Sequence, residues 1–402
     1  MNTLGQIYID QGRYKLAGDI FGWAASLSQR EYGNNDIRTL KSVLWMTNAW
    51  LCQGRLSQIE QILQKTANRL VRSLGDHVSD VLATMVTLAW TYEVQGRWRK
   101  AESLWIRVME MKKKRLGAGH PDTLESLCDL AFARSFLGDY QAAEDMSRQA
   151  LLGKVRTLGP HHLSTLKSTS TLAWILLLRG KYKAAEGMIR VIRQSLSKLE
   201  EMLGPDHPHT LFSANTLMCL LSSTGHYDES YVVCKRVFNG RQKVLGPRYP
   251  STLTALNNIG YTYLTRGEYE EAELLLRLAL KGREKVLRTN HPDTLRSVSN
   301  LGLVLYLQGG YEEAERLGRQ ALKGREEELG RDHPHTLDSA SDLSWMLDAQ
   351  CKHEEAEVLE TRALDGRERV LGPDHPNWLS SARHLSFILR RQKSHEDAKN
   401  MC

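Results

Sequence analysis

The sequence has none of the features that mark a secreted or membrane-spanning protein. Its six cysteines form no Cys-x-x-Cys pair, and no apolar run with basic flanks follows Met1. The longest apolar stretch, around Leu172 to Leu178, is far shorter than the roughly 20 residues that a transmembrane helix requires. These absences argue against a disulfide framework and against membrane insertion. They predict reduced thiols in a cytoplasmic protein.

Motifs of catalysis and of cofactor binding are also absent. The chain contains no Gly-x-x-x-x-Gly-Lys-Ser/Thr phosphate loop, no Gly-x-Ser-x-Gly elbow and no His-Glu-x-x-His pair. Adjacent glutamates such as Glu270-Glu271 and Glu312-Glu313 recur at equal intervals, which favours a charged helix face over an acid/base dyad. The histidines occur singly or in close pairs in polar loops, without cysteine or carboxylate partners at metal spacing. We therefore predict a loop role for the histidines, no metal, no cofactor and no enzymatic activity.

A strong charge of one sign is missing too. The formal charge of +7 is modest for 402 residues, and the only dense basic run is Lys112 to Arg115. Nucleic-acid binding requires a basic stripe with planar stacking groups, whereas this run lies near one helix end, where cations suit the helix dipole. The pattern favours a solvated helix end, with a site for an acidic partner as the alternative. It predicts no nucleic-acid partner.

No linker rich in proline, glycine or serine divides the chain, and a repeat of 42 residues runs through it. One interval, between Gly180 and Gly225, is 45 residues long, and we expect its three extra residues within a helix at 189–202. A chain with this period is a stack of identical supersecondary units. We predict that 1–402 form a single array of about nine to ten units, partial at both ends. Equivalent positions in successive units hold Gly12, Gly54, Gly96, Gly138, Gly180, Gly225, Gly267, Gly309, Cys351 and Lys393.

Each unit is predicted to contain two antiparallel helices, A and B. In the clearest copy, Leu253, Leu256 and Ile259 recur at three- and four-residue steps, as on the buried stripe of a helix. Gly267 then marks a tight turn, and helix B follows from Tyr269. Small residues in helix B would let the two helices approach closely, and these are Ala101, Ala143, Ala185, Ala272, Ala314 and Ala356.

Two further signals recur in several of the units. A proline after histidine, as in His291-Pro292, predicts the start of helix A, because proline at the first helical position loses no hydrogen bond. Glycines also fall inside the apolar period of helix B, where each costs about 1 kcal/mol relative to alanine. Either they permit close helix contact or they end helix B early, and the positions are Gly153, Gly240, Gly282, Gly324 and Gly366.

The pattern Gly-x-Tyr-x-x-Ala, preceded by Leu-Gly-x-x-Tyr, resembles the tetratricopeptide repeat. The 42-residue version, with Arg283 to Leu287 and Gly204 to Pro208, is similar to the kinesin-light-chain type and to repeats in fungal NLR-like signalling ATPases. The resemblance covers essentially the whole chain. It implies an all-α fold, a right-handed superhelical solenoid whose A helices line a concave groove.

The resemblance also implies that the residue before Leu/Ile-Gly points into this groove. Hydrogen-bonding side chains occupy that position, and together with Asn257, which precedes Asn258, they could hold the main chain of an extended peptide. A groove that is merely wet is the alternative explanation. The predicted polar ladder is Thr87, Asp129, Thr171, Thr216, Asn257, Asn258, Asn300, Asp342 and His384.

Three residues further along each helix A, and thus on the same face, stands a set of aromatic residues. They would either clasp apolar anchors of a ligand or pack against the neighbouring unit. The sequence favours neither explanation. The set comprises Trp90, Phe132, Trp174, Tyr261, Trp345 and Phe387.

The leading functional prediction is a protein-interaction scaffold or adaptor that binds a peptide in the A-helix groove. The alternative is the ligand-sensing repeat region of a fungal NLR-like signalling ATPase whose nucleotide-binding module lies outside this chain. Leu4-Gly5 matches Leu301-Gly302, so the chain begins within a helix A, as either a fragment or an adaptor with ligand-binding ends would. The sequence does not identify the partner or the oligomeric state.

Overall fold

The computed structural model describes residues 2–10, 13–34, 36–52, 59–66 and 79–400, and these residues are helical without any β-strand. Helices of about 16 and 19 residues alternate along most of the chain, as the two-helix unit predicts. The helices are α1 (Asn2–Asp10), α2 (Tyr14–Tyr32), α3 (Ile37–Cys52), α4 (59–66), α5 (Ser79–Val94), α6 (Trp98–Leu116), α7 (Pro121–Phe136), α8 (Tyr140–Leu158), α9 (Leu163–Leu178), α10 (Tyr182–Leu203), α11 (Pro208–Ser223), α12 (Tyr227–Leu245), α13 (Pro250–Thr265), α14 (Tyr269–Val286), α15 (Pro292–Leu307), α16 (Tyr311–Leu329), α17 (Pro334–Asp348), α18 (His353–Leu371) and α19 (Pro376–Asn400).

The helices belong to two compact parts of the fold, unit 1 and unit 2, each of which contains several of the 42-residue repeats. Unit 1 comprises Met1–Ile175, Ala185–Leu220 and Val233–Thr252, and its largest apolar cluster surrounds the fully buried Trp105. Unit 2 comprises Leu176–Ala184, Leu221–Val232 and Leu253–Cys402. An apolar cluster within it includes Ala272 and Leu301. Within the described ranges, no helix combines the length and apolarity that crossing a bilayer demands.

Histidine caps the start of helix A. In α15 the backbone amide of Asp293 donates to Nδ1 of His291 at 3.1 Å, and Pro292 occupies the first helical position. A helix start leaves amides without partners, and this imidazole nitrogen satisfies one of them. The predicted loop role of the histidines therefore has a physical basis. The same bond is made by His120, His162, His207, His333 and His375.

Glycines with positive φ form the turns between helices A and B, for example Gly267 at +80°. Cys351 takes the same place with φ +60°, the one non-glycine residue with positive φ among those described. Gly12 and Gly54 lie outside the described residues. The equivalence of Lys393 was wrong: α19 runs through this residue to Asn400 without a turn. Lysine has a Cβ that disfavours the left-handed conformation of this turn, so the helix simply continues.

The glycines inside helix B allow close helix contact, and they do not end the helix. A Cβ on Gly282 would lie 2.6 Å from Cδ2 of Leu253 on the preceding helix A. The same notch receives a leucine at Gly153, Gly240, Gly324 and Gly366. The six alanines predicted at the A–B contact are all fully buried.

The three extra residues lengthen helix B, as the spacing predicts. Helix α10 has 22 residues, whereas its neighbours α8 and α12 have 19 each. At 1.5 Å per residue the extension is about 4.5 Å.

A buried basic residue links helix B to the helix A that follows it. Nη1 of Arg283 donates to the carbonyl of Asp293 at 2.5 Å and to Oγ of Ser297 at 2.6 Å. Burial lowers the pKa of Arg283 to about 9, although the nearby Asp293 opposes this shift. Equivalent pairs are Lys112–Ser126, Lys154–Ser168, Arg325–Ser339 and Arg367–Ser381. One member of the predicted basic run, Lys112, therefore has a structural bond.

Candidate functional site

An open cleft lies in unit 1 between α3, α5 and α6. Its volume is about 510 Å³, and its wall is mainly apolar, with Leu44 from α3 and Leu82 from α5. Two tryptophans border it: Trp45 is 36% exposed and Trp90 is 38% exposed. Thr87 also lines the cleft. Two predicted site residues, Thr87 and Trp90, are thus brought to one cavity large enough for an apolar side chain.

The cleft also contains residues that the sequence prediction missed. Trp45 lies 42 positions before Thr87, so it occupies the polar-ladder position one unit earlier. Lys112 and Arg115 add positive charge to the lining. Extending the 42-residue register back from Thr87 and Trp90 would have identified Trp45 and Asn48, which both line the cleft.

The threonines of the polar ladder are occupied within their own helices. The hydroxyls of Thr87, Thr171 and Thr216 donate to the carbonyl four residues earlier, at 3.0, 3.3 and 3.2 Å. All three residues are buried. Their hydroxyl hydrogens are therefore committed, and a ligand can find only acceptor lone pairs there.

The two asparagines of the Asn-Asn pair have different surroundings. Asn257 is 1% exposed, and its Oδ1 accepts a hydrogen bond from Oγ of Ser297 at 2.9 Å. Its side chain joins α13 to α15 and is not accessible to a ligand, contrary to its predicted place in the groove. Consecutive helical residues point about 100° apart, which is why the pair divides. Asn258 and Asn300 are half-buried and reach the surface.

The two acidic members of the ladder carry raised pKa values. Burial, followed by the charge of Glu125, raises the pKa of Asp129 to about 7. Burial, followed by the charge of Asp338, raises the pKa of Asp342 to about 7. Both side chains lie in the A-helix face of their unit, and both therefore retain a proton well above the pH at which a solvated aspartate loses it.

The aromatic ladder is divided between two environments. In unit 1, Phe132 packs on Trp98 and on Phe212, with ring centroids 6.3 Å apart in each case. Trp174 lies 6.5 Å from Phe136 in the same group of rings. These residues pack on one another, as the inter-unit alternative supposes. By contrast, the rings of Trp90, Tyr261, Trp345 and Phe387 are between 37% and 48% exposed.

In unit 2 the polar and aromatic residues meet around Trp345. Its ring lies flat on the ring of His384, with centroids 3.5 Å apart and an interplanar angle of 3°. His384 is buried, and its Nδ1 lies 2.9 Å from Oε2 of the fully buried Glu360. His384 and Glu360 thus form a buried polar contact beneath Trp345, while Trp345 exposes part of its ring to solvent. No group of three or more metal-binding side chains occurs within the described ranges.

Two family models match the chain, and both describe the tetratricopeptide repeat. One matches residues 80–152, 275–327 and 293–369, and the other matches residues 165–209 and 252–293. Together they cover more than half of the sequence. No curated protein matches the chain.

Several solved structures are similar to this chain, and the two with TM-scores above 0.5 show the same fold. A Rap protein complexed with competence and sporulation factor has a TM-score of 0.54 at 12% identity, covering 88% of this chain and 99% of its own. The apo form of the quorum sensor NprR from B. thuringiensis has a TM-score of 0.51 at 12% identity, covering 90% of this chain and 98% of its own. A candidate kinesin light chain from Podosopora anserina with nearly identical TPR-like repeats is 25% identical, with a TM-score of 0.41, over 52% of this chain and 97% of its own.

Proposed function

Because the chain belongs to the tetratricopeptide repeat family, an all-α repeat solenoid that serves as a protein-interaction scaffold, we propose that it binds a peptide segment on its A-helix face. The cleft of unit 1 carries the proposal. It takes one apolar side chain of the segment between Trp45 and Trp90. Full burial of such a side chain contributes about 1.5–3 kcal/mol.

The A-helix face of unit 2, taken by itself, offers contacts of a different kind. Asn258 and Asn300 reach the surface there, and an amide side chain both donates and accepts. It can therefore bind a peptide main chain without reading its sequence. Their joint replacement, Asn258→Ala with Asn300→Ala, is expected to weaken peptide binding by about 1–3 kcal/mol, because polar groups of the peptide then lose partners.

The anchor is tested by comparing two tryptophans that touch each other. Trp90 is half-exposed in the cleft, whereas Trp105 is fully buried, and their centroids lie 6.3 Å apart. Peptides are selected from a randomised 12-residue display library on the wild-type chain and then synthesised. Trp90→Ala should weaken their binding while leaving the melting temperature nearly unchanged. Trp105→Ala should lower stability by about 3–5 kcal/mol, as for other buried tryptophans.

The reverse pattern would contradict the proposal. If Trp90→Ala lowers the melting temperature as much as Trp105→Ala does, and its folded fraction binds the peptides like the wild type, then Trp90 is a packing residue. Failure of the library to yield any binding peptide would also count against a peptide-binding role.

A further inference from the structure

One carboxylate on the A-helix face of unit 2 lacks a partner. Asp342 lies on α17, one helical turn before Trp345, and is half-buried. Among the described residues, none donates a hydrogen bond to its carboxylate or forms an ion pair with it. A half-buried carboxylate is ordinarily paired. Without a partner Asp342 keeps its proton up to about pH 7, and a ligand cation would favour its ionised form.

The charged groups around Asp342 are already engaged elsewhere. These groups are Asp338, Glu360, Arg325 and Arg367. Arg367 donates to Oδ1 of Asp338 at 2.8 Å, and Arg325 donates to the carbonyl of His335 at 2.9 Å. Asp338 is therefore neutralised within the fold. Asp342 is its neighbour one turn later, and it has no such cation.

Glu360 differs from Asp342 in having partners. Burial raises the pKa of Glu360, but hydrogen bonds from His384 and Ser381 outweigh this effect, so that the net pKa is lowered. Its Oε2 lies 2.9 Å from Nδ1 of His384, and its Oε1 accepts a hydrogen bond from Oγ of Ser341 at 3.0 Å. Among the described residues, Asp338 and Glu360 are thus both engaged within the fold, and Asp342 is not.

Two aromatic rings accompany the carboxylate. Tyr261 is 40% exposed and Trp345 is 37% exposed. Burial and then the charge of Asp342 raise the pKa of Tyr261, so the phenol and the carboxylate are electrostatic neighbours. The faces of tyrosine and tryptophan rings attract cations. A carboxylate without a partner beside two partly exposed aromatic rings favours a cationic ligand group.

We propose that Asp342, Trp345 and Tyr261 form a subsite for an arginine side chain of the peptide segment that the A-helix face binds. This inference rests on the proposed function. A guanidinium group is flat, stacks on aromatic rings and presents five N–H donors, which suits it better than the compact ammonium group of lysine. Within the fold, Arg367 pairs with Asp338. The arginine of the peptide would pair with Asp342 in the same way.

The test begins with the randomised 12-residue library. Peptides selected on the wild-type chain should include a group enriched in arginine at one position, and selection on Asp342→Asn should lose this group. Selection on Asp342→Arg should favour glutamate or aspartate there. The matched control is Asp365→Asn, which removes the same charge from an exposed position on α18, a helix B, and should leave the arginine preference intact.

One selected peptide is then synthesised with arginine or with its uncharged analogue citrulline. On the wild type, citrulline should weaken binding roughly tenfold, the order expected for one charge pair, and on Asp342→Asn the difference should fall below about twofold. Circular dichroism melts verify that each variant is folded. Peptides without a basic preference, or a preference that persists in Asp342→Asn, would overturn the subsite and leave peptide binding intact. A library that yields no peptide would overturn both proposals.

Discussion

Replacement of Gly187 by alanine should stabilise the fold, whereas the same replacement at Gly282 should not. Both glycines lie inside a helix B, where alanine ordinarily stabilises by about 1 kcal/mol. A Cβ on Gly187 meets nothing within 4 Å, so this variant should show the full gain. A Cβ on Gly282 lies 2.6 Å from Cδ2 and 3.3 Å from Cδ1 of Leu253, which is buried.

The expected size follows from the two opposing effects. Insertion of a methyl group into a packed core costs about 1–3 kcal/mol, because neighbours leave their preferred positions. Set against the gain of about 1 kcal/mol from helix propensity, Gly282→Ala should lie between neutral and about 2 kcal/mol destabilising. Leu253→Val shortens the side chain that collides. In that background, Gly282→Ala should cost less than it does in the wild type.

Urea denaturation of the full chain gives the free energy of unfolding of each variant. The four variants are Gly187→Ala, Gly282→Ala, Leu253→Val and the double variant Leu253→Val with Gly282→Ala. Because a repeat array opens locally, amide hydrogen exchange in α13 and α14 provides a second measurement at the site itself. If Gly282→Ala stabilises the chain as much as Gly187→Ala does, then Leu253 yields freely and the notch is not a packing constraint.

Three further outcomes are expected. Cys351→Gly should stabilise by about 1 kcal/mol, because it relieves a left-handed residue that costs about 1–2 kcal/mol, while Gly309→Ala at the equivalent turn should destabilise in a urea titration. Ala272→Trp should destabilise by about 1–3 kcal/mol or more, since Ala272 is fully buried, and an unchanged melting temperature would contradict this. Burial and the charge of Asp338 raise the pKa of Asp342 from 3.8 to about 7, so the folded state keeps a proton that the unfolded state has released. This contribution is fully present below about pH 4 and is lost as the pH rises to about 7. Asp342→Asn should therefore flatten that part of the stability profile, and an unchanged slope would refute the assignment.

The periodicity of the sequence was sufficient to predict the helices but not all of their ends. His291-Pro292 predicted where α15 begins, since proline tolerates the first position of a helix. It did not predict that the imidazole itself is the cap, because serine, threonine, aspartate and asparagine are the usual capping residues. The 42-residue spacing also predicted a turn at Lys393 that the structure lacks. Lys393 stands 42 residues after Cys351, but α19 continues through it, so spacing alone does not create a turn.

The sequence predicted which face of each helix A carries the candidate site residues better than it predicted which side chains touch one another. The 42-residue register correctly placed Thr87 and Trp90 together, because residues three apart share one side of a helix. It could not show which rings pack on one another. That depends on the distance between helices that are not consecutive in the chain, as for Phe132 and Phe212. The helical step of about 100° between consecutive residues was enough to separate Asn257 from Asn258, but only the structure shows that Asn257 is the buried one, bonded to Ser297.

The adjacent residues Gly282 and Arg283 contact different repeats. Gly282 packs against Leu253 of its own 42-residue repeat, and Arg283 donates a hydrogen bond to Ser297 of the next repeat. A segment of 42 residues cut from the chain between two repeats therefore contains the whole glycine–leucine contact. It also contains one partner of the bond to the repeat on each side. Duplication or loss of a whole segment would therefore change the number of A helices while keeping each leucine in its glycine notch. The bond between segments is less general, because a duplicate of the segment that contains Gly282 would place Ala255, and not a serine, opposite Arg283.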